Sequence, residues 1–280
     1  MDVVSPEEEP TIVTRGDGDI VAAVVGGVHG DEPSGVQAVE GILADESAGR
    51  LSLTAAVRFI TAHPTAVAAG RRFIEVDLNR SFPGNRDGLL EERLATVICD
   101  AVADVPTLAL HSTRSQGTPF AFAAANDPAA IELARSLSVP NLVLADGSEV
   151  GALSACGTVI TVEVGPQGSS VAAETARELT DEFLVATGAM AGTVSPSDPA
   201  VFQLGEELER PTGERYESLA DNFERVATGE AYATVDGEQL VADESFYPIL
   251  LSATGYADIL GFRGEKLANS VGDLDRPVDR

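Results

Sequence analysis

Five short apolar runs, spaced by helical stretches, restrict this 280-residue chain to an α/β architecture. The runs are 20–28, 56–62, 106–111, 141–145 and 158–164; the helical stretches are 33–44, 89–103, 128–137 and 171–187. Runs of β-branched residues bounded by Gly or Pro read as buried strands, and apolar residues three and four apart read as one helix face. Val171, Thr175, Leu179, Phe183 and Ala186 keep that helical spacing. Strands alternating with helices predict a mostly parallel sheet covered by helices. From Gly192 onward the texture changes. Pro196, Pro199, Pro211 and many glycines interrupt the chain, and short strand pieces follow at 200–204, 231–235, 239–241, 247–252 and 257–262. Asp236-Gly237 between two such pieces is a hairpin signal. The expected organisation is a first domain over 1–192 and a small β-rich domain over 193–280.

In such sheets ligands gather where strands end at their carboxyl edge, and the reactive residues of this chain cluster there. His29-Gly30-Asp31-Glu32 closes the first apolar run, so an imidazole and a carboxylate three positions apart share one turn. Leu108-Ala109-Leu110-His111 ends in a second imidazole. Two His and one Glu form a known catalytic zinc set with the fourth position left for water. The chain holds three histidines, His29, His63 and His111, and two of them occupy these strand ends. His63, just before Pro64, reads as a turn residue. The run ending in Val162-Glu163-Val164 places one carboxylate among apolar neighbours, where burial raises its pKa as a general base requires. Asn79 and Arg80 can jointly grip a carboxylate, the guanidinium as a planar fork and the amide as a further donor. Of Arg71 and Arg72, the second is expected to point inward. Asp77 reads as a residue that holds Arg80 or its loop in place.

Composition narrows the partners. Asp and Glu number 45 against 18 Lys and Arg, a formal charge of −27, and Lys266 is the sole lysine. That field repels nucleic-acid phosphates and anionic membranes, which excludes both as partners. A highly acidic, lysine-poor surface suits a saline cell interior, where screening weakens self-repulsion; a halophilic source is the expectation. No apolar run approaches the ~18 residues of a bilayer span. Residues 1–10 are acidic and lack the apolar segment of a secretory signal, so a cytoplasmic location is expected. Cys99 and Cys156, far apart in sequence and outside any CxxC pair, are expected to be buried reduced thiols.

Four motifs in order carry a resemblance to the aspartoacylase and succinylglutamate desuccinylase family of the zinc carboxypeptidase superfamily. They are Gly27-Val28-His29-Gly30-Asp31-Glu32, Asp77-Leu78-Asn79-Arg80-Ser81-Phe82-Pro83-Gly84, Leu110-His111-Ser112-Thr113 and Val162-Glu163-Val164-Gly165-Pro166-Gln167-Gly168. Together they span roughly residues 20–190. A weaker likeness, from Phe246 to Tyr256, is to the β domain that caps the aspartoacylase cavity. The resemblance implies a mixed, largely parallel sheet flanked by helices with a small C-terminal β domain. It further implies one zinc ion on His29, Glu32 and His111, Glu163 as general base and then acid, and Arg72 polarising the scissile carbonyl. Asn79 and Arg80 would bind the substrate α-carboxylate, and Tyr256 would reach the substrate from the second domain. The reaction implied is hydrolysis of the amide of a small N-acyl amino acid. Aspartoacylases also carry an arginine upstream of the catalytic Glu for the substrate side-chain carboxylate. The corresponding stretch, Val150 to Gly157, contains neither Arg nor Lys. Either Arg114 replaces it or the side-chain pocket is neutral. Release of a C-terminal residue from a peptide, or metabolite binding without catalysis, are the alternative readings, and a homo-oligomer is left open.

Overall fold

The computed structural model describes residues 9–115, 117–146, 152–255 and 258–274. Its strands are β1 (Thr11–Arg15), β2 (Ile20–Gly26), β3 (Ala56–Thr61), β4 (Thr107–Thr113), β5 (Phe120–Ala124), β6 (Asn141–Ala145) and β7 (Val159–Pro166). They continue with β8 (Ala200–Glu209), β9 (Tyr216–Ser218), β10 (Ala231–Val235), β11 (Glu238–Val241), β12 (Tyr247–Ile249) and β13 (Ile259–Ala268). The α-helices are α1 (Pro33–Ser47), α2 (Pro64–Ala69), α3 (Leu90–Val102), α4 (Pro128–Ala134) and α5 (Ser170–Ala186).

Ten strands form one sheet in the order β1-β3-β2-β4-β7-β5-β6-β8-β13-β12. The β3-β2-β4-β7 block and the β5-β6-β8 block are each parallel, and they meet at an antiparallel β7–β5 pair. This is the mixed, largely parallel sheet expected from the alternation. The sheet runs on past residue 192, because β8 pairs with β6 and β13 with β8. The remaining three strands form a small antiparallel sheet, β11-β10-β9, whose β10–β11 hairpin turns at Asp236-Gly237.

Side-chain alternation divides the core into two halves. Ala22 and Val24, Leu108 and Leu110, Ile160 and Val162 face α1 and α5, packing with Val39, Ile42, Leu179 and Phe183. Their neighbours Ala23 and Val25, Ala109 and Val159 face the other way, against Leu94, Ile98 and Val102 of α3. Strands buried on both faces read as continuous apolar runs, which is why β2, β4 and β7 were visible in the sequence. Four elements were not. β1 is an exposed antiparallel edge strand, β5 is a short reversed strand of Phe and Ala, α2 has only six residues and β9 only three.

The cysteine expectation is corrected: Cys99 and Cys156 form a disulfide, with Cα atoms 5.0 Å apart. Cys99 lies on α3, which packs over the short 3-10 turn Ala152–Cys156. A sequence separation of 57 hides that tertiary proximity, and spacing alone cannot reveal such a pairing. No described helix is long and apolar enough to cross a membrane.

Candidate metal centre and substrate cleft

Two glycines bring the first ligand pair into position. A Cβ on Gly26, the last residue of β2, would collide with the backbone of Gly35, and a Cβ on Gly35 would lie 2.9 Å from the Leu110 Cβ. With hydrogens at both places, the first turn of α1 rests directly on the ends of β2 and β4. Glu32 occupies the N-cap position of α1, yet its side chain makes no capping bond to the helix. It turns inward instead.

Glu32 there holds the centre of a buried network. Its Oε1 lies 2.7 Å from His29 Nδ1, and its Oε2 lies 3.2 Å from His111 Nδ1 and accepts the Ser112 N–H at 3.0 Å. The three side chains are buried, and each offers a ligand atom within 4.8 Å of the others. The imidazole rings stand 5.0 Å apart, edge to face. Burial opposes charge on His29, but the neighbouring Glu32 and Asp77 carboxylates outweigh it and carry its pKa up to about 9. Burial likewise resists ionisation of Glu32, and the two imidazoles hold its carboxyl far below the usual range. Burial dominates at His111 and lowers its pKa. Imidazole and carboxylate donors in a buried group of three fit a divalent cation of zinc's preference, with room for a non-protein fourth ligand.

Asp77 sets the orientation of this group. Its Oδ1 lies 3.2 Å from His29 Nε2 and accepts the Asn79 N–H at 2.8 Å, while its Oδ2 accepts Arg72 Nε at 3.2 Å. Burial opposes its ionisation, and these donors together hold its pKa well down. Asp77 thus holds its own loop, one of the two roles the sequence had suggested, and ties His29 and Arg72 in place of the Arg80 guanidinium. Carboxylate–imidazole pairs of this kind fix the ring and its tautomer around a metal. Arg72 also donates to Glu32 Oε1 at 3.3 Å, whereas Arg71 is exposed.

Glu163 stands opposite His111 in the β4–β7 register, on the same face of the sheet. Its Oε2 is buried and has no hydrogen-bond partner. Burial first, and the Glu32 charge second, push its pKa up to about 8. Arg72, Asn79, Arg80, Arg114 and Glu163 all line one solvent-open cleft of about 930 Å³ together with His29, Glu32 and His111. Tyr256 lies outside the described residues.

Several residues in and around the cleft carried no recognisable sign. Glu91, fully buried on α3, accepts the N–H groups of Ile74, Glu75 and Val76 and bonds His63 Nε2 at 3.0 Å. It braces the loop that bears Arg72 to Arg80. His63 caps α2 by accepting the Ala66 N–H, in keeping with a turn role. Gln167, inside a quoted motif but given no role, accepts Arg114 Nε at 2.6 Å and donates to the Asp31 carbonyl at 2.6 Å. Leu250, Ser252 and Gly255, which follow β12, and Phe262 of β13 line the cleft from the C-terminal part of the chain, and Asn222 holds that wall by bonding both Ser115 and Leu251.

Residues 20–185 match the model of the succinylglutamate desuccinylase/aspartoacylase catalytic domain. N-alpha-acetyl-L-2,4-diaminobutyric acid deacetylase of Halomonas elongata is 31% identical over 219 residues, 69% of this chain and 62% of that protein. Succinylglutamate desuccinylase of Pseudomonas aeruginosa is 30% identical over 79 residues, 28% of this chain and 24% of that protein. The alignments thus span less than two thirds of these curated relatives. Among solved structures, the product-bound ectoine utilization protein EutE (DoeB) from Ruegeria pomeroyi superposes with a TM-score of 0.71 at 20% identity, covering 90% of this chain and 88% of that one. The succinylglutamate desuccinylase/aspartoacylase from Rhodobacter sphaeroides gives 0.71 at 19% identity, covering 91% and 88%; both likenesses are of fold. The chain belongs to the succinylglutamate desuccinylase/aspartoacylase family.

Proposed function

We propose that this chain is a zinc-dependent amidohydrolase that removes a small acyl group from an N-acyl amino acid. The observation that carries the reading is the buried His29–Glu32–His111 group with the unpartnered Glu163 Oε2 beside it. A buried carboxylate oxygen without a donor is costly to keep; a water bound between Glu163 and the metal ligands would satisfy it. The family and the deacylating names of its relatives support the same chemistry.

His29, Glu32 and His111 would hold the ion, and when bound zinc supplies Lewis acidity that acidifies water and polarises a carbonyl. Asn79 and Arg80, at the open side of the cleft, seat the α-carboxylate and so orient the scissile amide. Glu163 Oε2 accepts a proton from the attacking water and returns it to the departing amine nitrogen. The products are a carboxylic acid and a free amino acid. Arg72, fixed by Asp77, directs a guanidinium at the oxygen that gains charge in the tetrahedral transition state; loss of one such donor costs ~10²–10³ in rate. Residues 1–192 would carry this chemistry, and 193–280 would cap the cleft through Leu250, Ser252 and Phe262.

The test is metal analysis and amine release on the purified chain. His111→Ala should lose stoichiometric zinc. Glu163→Gln should keep zinc and lose ~10²–10⁴ in kcat, the usual share of a general base. Unchanged turnover in Glu163→Gln overturns the mechanism.

A further inference from the structure

The charge inventory of the cleft narrows its substrate, on the premise that the deacylase reading above holds. Three cations line the cleft: Arg72, Arg80 and Arg114. Arg72 is matched by Glu32 and Asp77, at 3.3 and 3.1 Å. Arg114 is braced by Gln167 at 2.6 Å and faces Asp31 at 3.8 Å, and the brace is itself anchored because Gln167 donates to the Asp31 backbone. Arg80 alone among these has no carboxylate partner within the described residues; its guanidinium donates only to the neighbouring Asn79 carbonyl. One unmatched cation suits one substrate carboxylate.

The remaining walls are hostile to a second. Asp31 lines the cleft, and its Oδ1 is buried without a hydrogen-bond partner. Phe122, Leu250 and Phe262, packed in one apolar cluster, line the cleft together with Thr161, and none of them is cationic. A carboxylate in an acyl arm would face that apolar cluster, and one in the amino-acid side chain would meet Asp31. A donor on the side chain would instead match the unpartnered Asp31 oxygen.

From this we infer that the cleft selects N-acyl amino acids whose α-carboxylate is their only negative charge: the acyl group is uncharged and the side chain is not acidic. Discrimination against a charge left without its partner in a buried site is typically large.

The experiment is a kcat/KM comparison on the zinc-loaded full chain. The probes are N-acetyl-L-methionine, Nα-acetyl-L-ornithine, N-acetyl-L-aspartate and N-succinyl-L-glutamate. The first two should exceed the last two by about 10²-fold or more. Gln167→Ala, which frees Arg114 from its brace, should narrow the ratio of Nα-acetyl-L-ornithine to N-acetyl-L-aspartate by about tenfold, as one unmatched charge would. Equal or faster turnover of either dicarboxylate by the unmodified chain overturns this inference and leaves the deacylase reading standing. No amine release from any of the four overturns the deacylase reading and this inference with it.

Discussion

Replacing Glu91 should damage the substrate loop from a position outside the cleft. The carboxylate is fully buried and makes four hydrogen bonds: Oε1 to Ile74 N (2.7 Å), Glu75 N (3.0 Å) and His63 Nε2 (3.0 Å), and Oε2 to Val76 N (3.2 Å). Those consecutive amides lie between Arg72 and Asp77, so the carboxylate pins the middle of the segment that carries Arg72, Asp77, Asn79 and Arg80. Bonds to an ionised acceptor contribute ~1.5–3 kcal/mol each, and neutral ones about half of that. Glu91→Gln keeps the shape but turns an amide N–H₂ toward donors, so a loss of about 2–3 kcal/mol is expected. Glu91→Ala leaves His63 buried without its partner and should cost about 3–5 kcal/mol, the range for breaking a buried pair.

The pH dependence separates this role from simple packing. Burial opposes ionisation of Glu91, and the His63 ring and the three backbone N–H groups overcome it, so the folded pKa lies below the ordinary 4.5. A depressed carboxylate contributes stability that is fully present above the unfolded pKa and is lost as pH falls through the folded one. The stability gap between the unmodified chain and Glu91→Gln, measured by urea denaturation, should therefore be constant above about pH 5.5 and shrink as pH falls below about 4.5. In parallel, kcat/KM of the still-folded Glu91→Gln chain should drop by ~10-fold or more through misplacement of Arg72 and Arg80, with zinc content retained. A gap below about 0.5 kcal/mol, or one that does not change with pH, contradicts the brace.

Three further outcomes can be measured. Cys99→Ser, or reduction of the Cys99–Cys156 bond, should lower stability by about 4 kcal/mol from the chain entropy of a closed loop with a separation of 57 residues, read as a fall in urea midpoint. Gly35→Ala places a Cβ 3.0 Å from the Leu110 carbonyl oxygen and should push α1 off β4, costing about 1–3 kcal/mol and weakening zinc retention in a chelator competition. With a formal charge of −27, the chain should gain thermal stability as KCl rises from about 0.1 to about 1 M, since the screening length falls from ~10 to ~3 Å; a flat or falling melting temperature argues against a self-repelling surface.

What the sequence disclosed and what it withheld divide by range. His29 and Glu32 were legible because one turn holds both, and His111 and Glu163 because each ends an apolar run that only a buried strand explains. Their convergence follows from the parallel register of β2, β4 and β7, which the alternation of strands and helices already implied. Glu91 looked like one of many helix acids. Its partners lie 15 to 28 positions away, and no local pattern distinguishes it from Glu92, which caps its own helix through Leu89 N. The disulfide was missed for the same reason, as it joins α3 to a turn whose place only the packed sheet decides.

The Asp77 tether shows how the two ranges combine. Its motif suggested a structural carboxylate holding Arg80 or its loop; it does hold the loop, through the Asn79 N–H, but its charged partners are His29 and Arg72. In the fold, Asp77 caps the 3-10 turn Leu78–Arg80 by accepting the Asn79 N–H, and that turn directs Arg80 outward while Arg72 and His29 come in from either side. Arg80 is left without a carboxylate because the acid nearest in sequence is taken by groups from elsewhere in the chain. The cation at the cleft mouth, without a carboxylate among the described residues, is thus a product of tertiary competition for Asp77, and under the proposed deacylase reading a substrate α-carboxylate would take the place that Asp77 would otherwise fill.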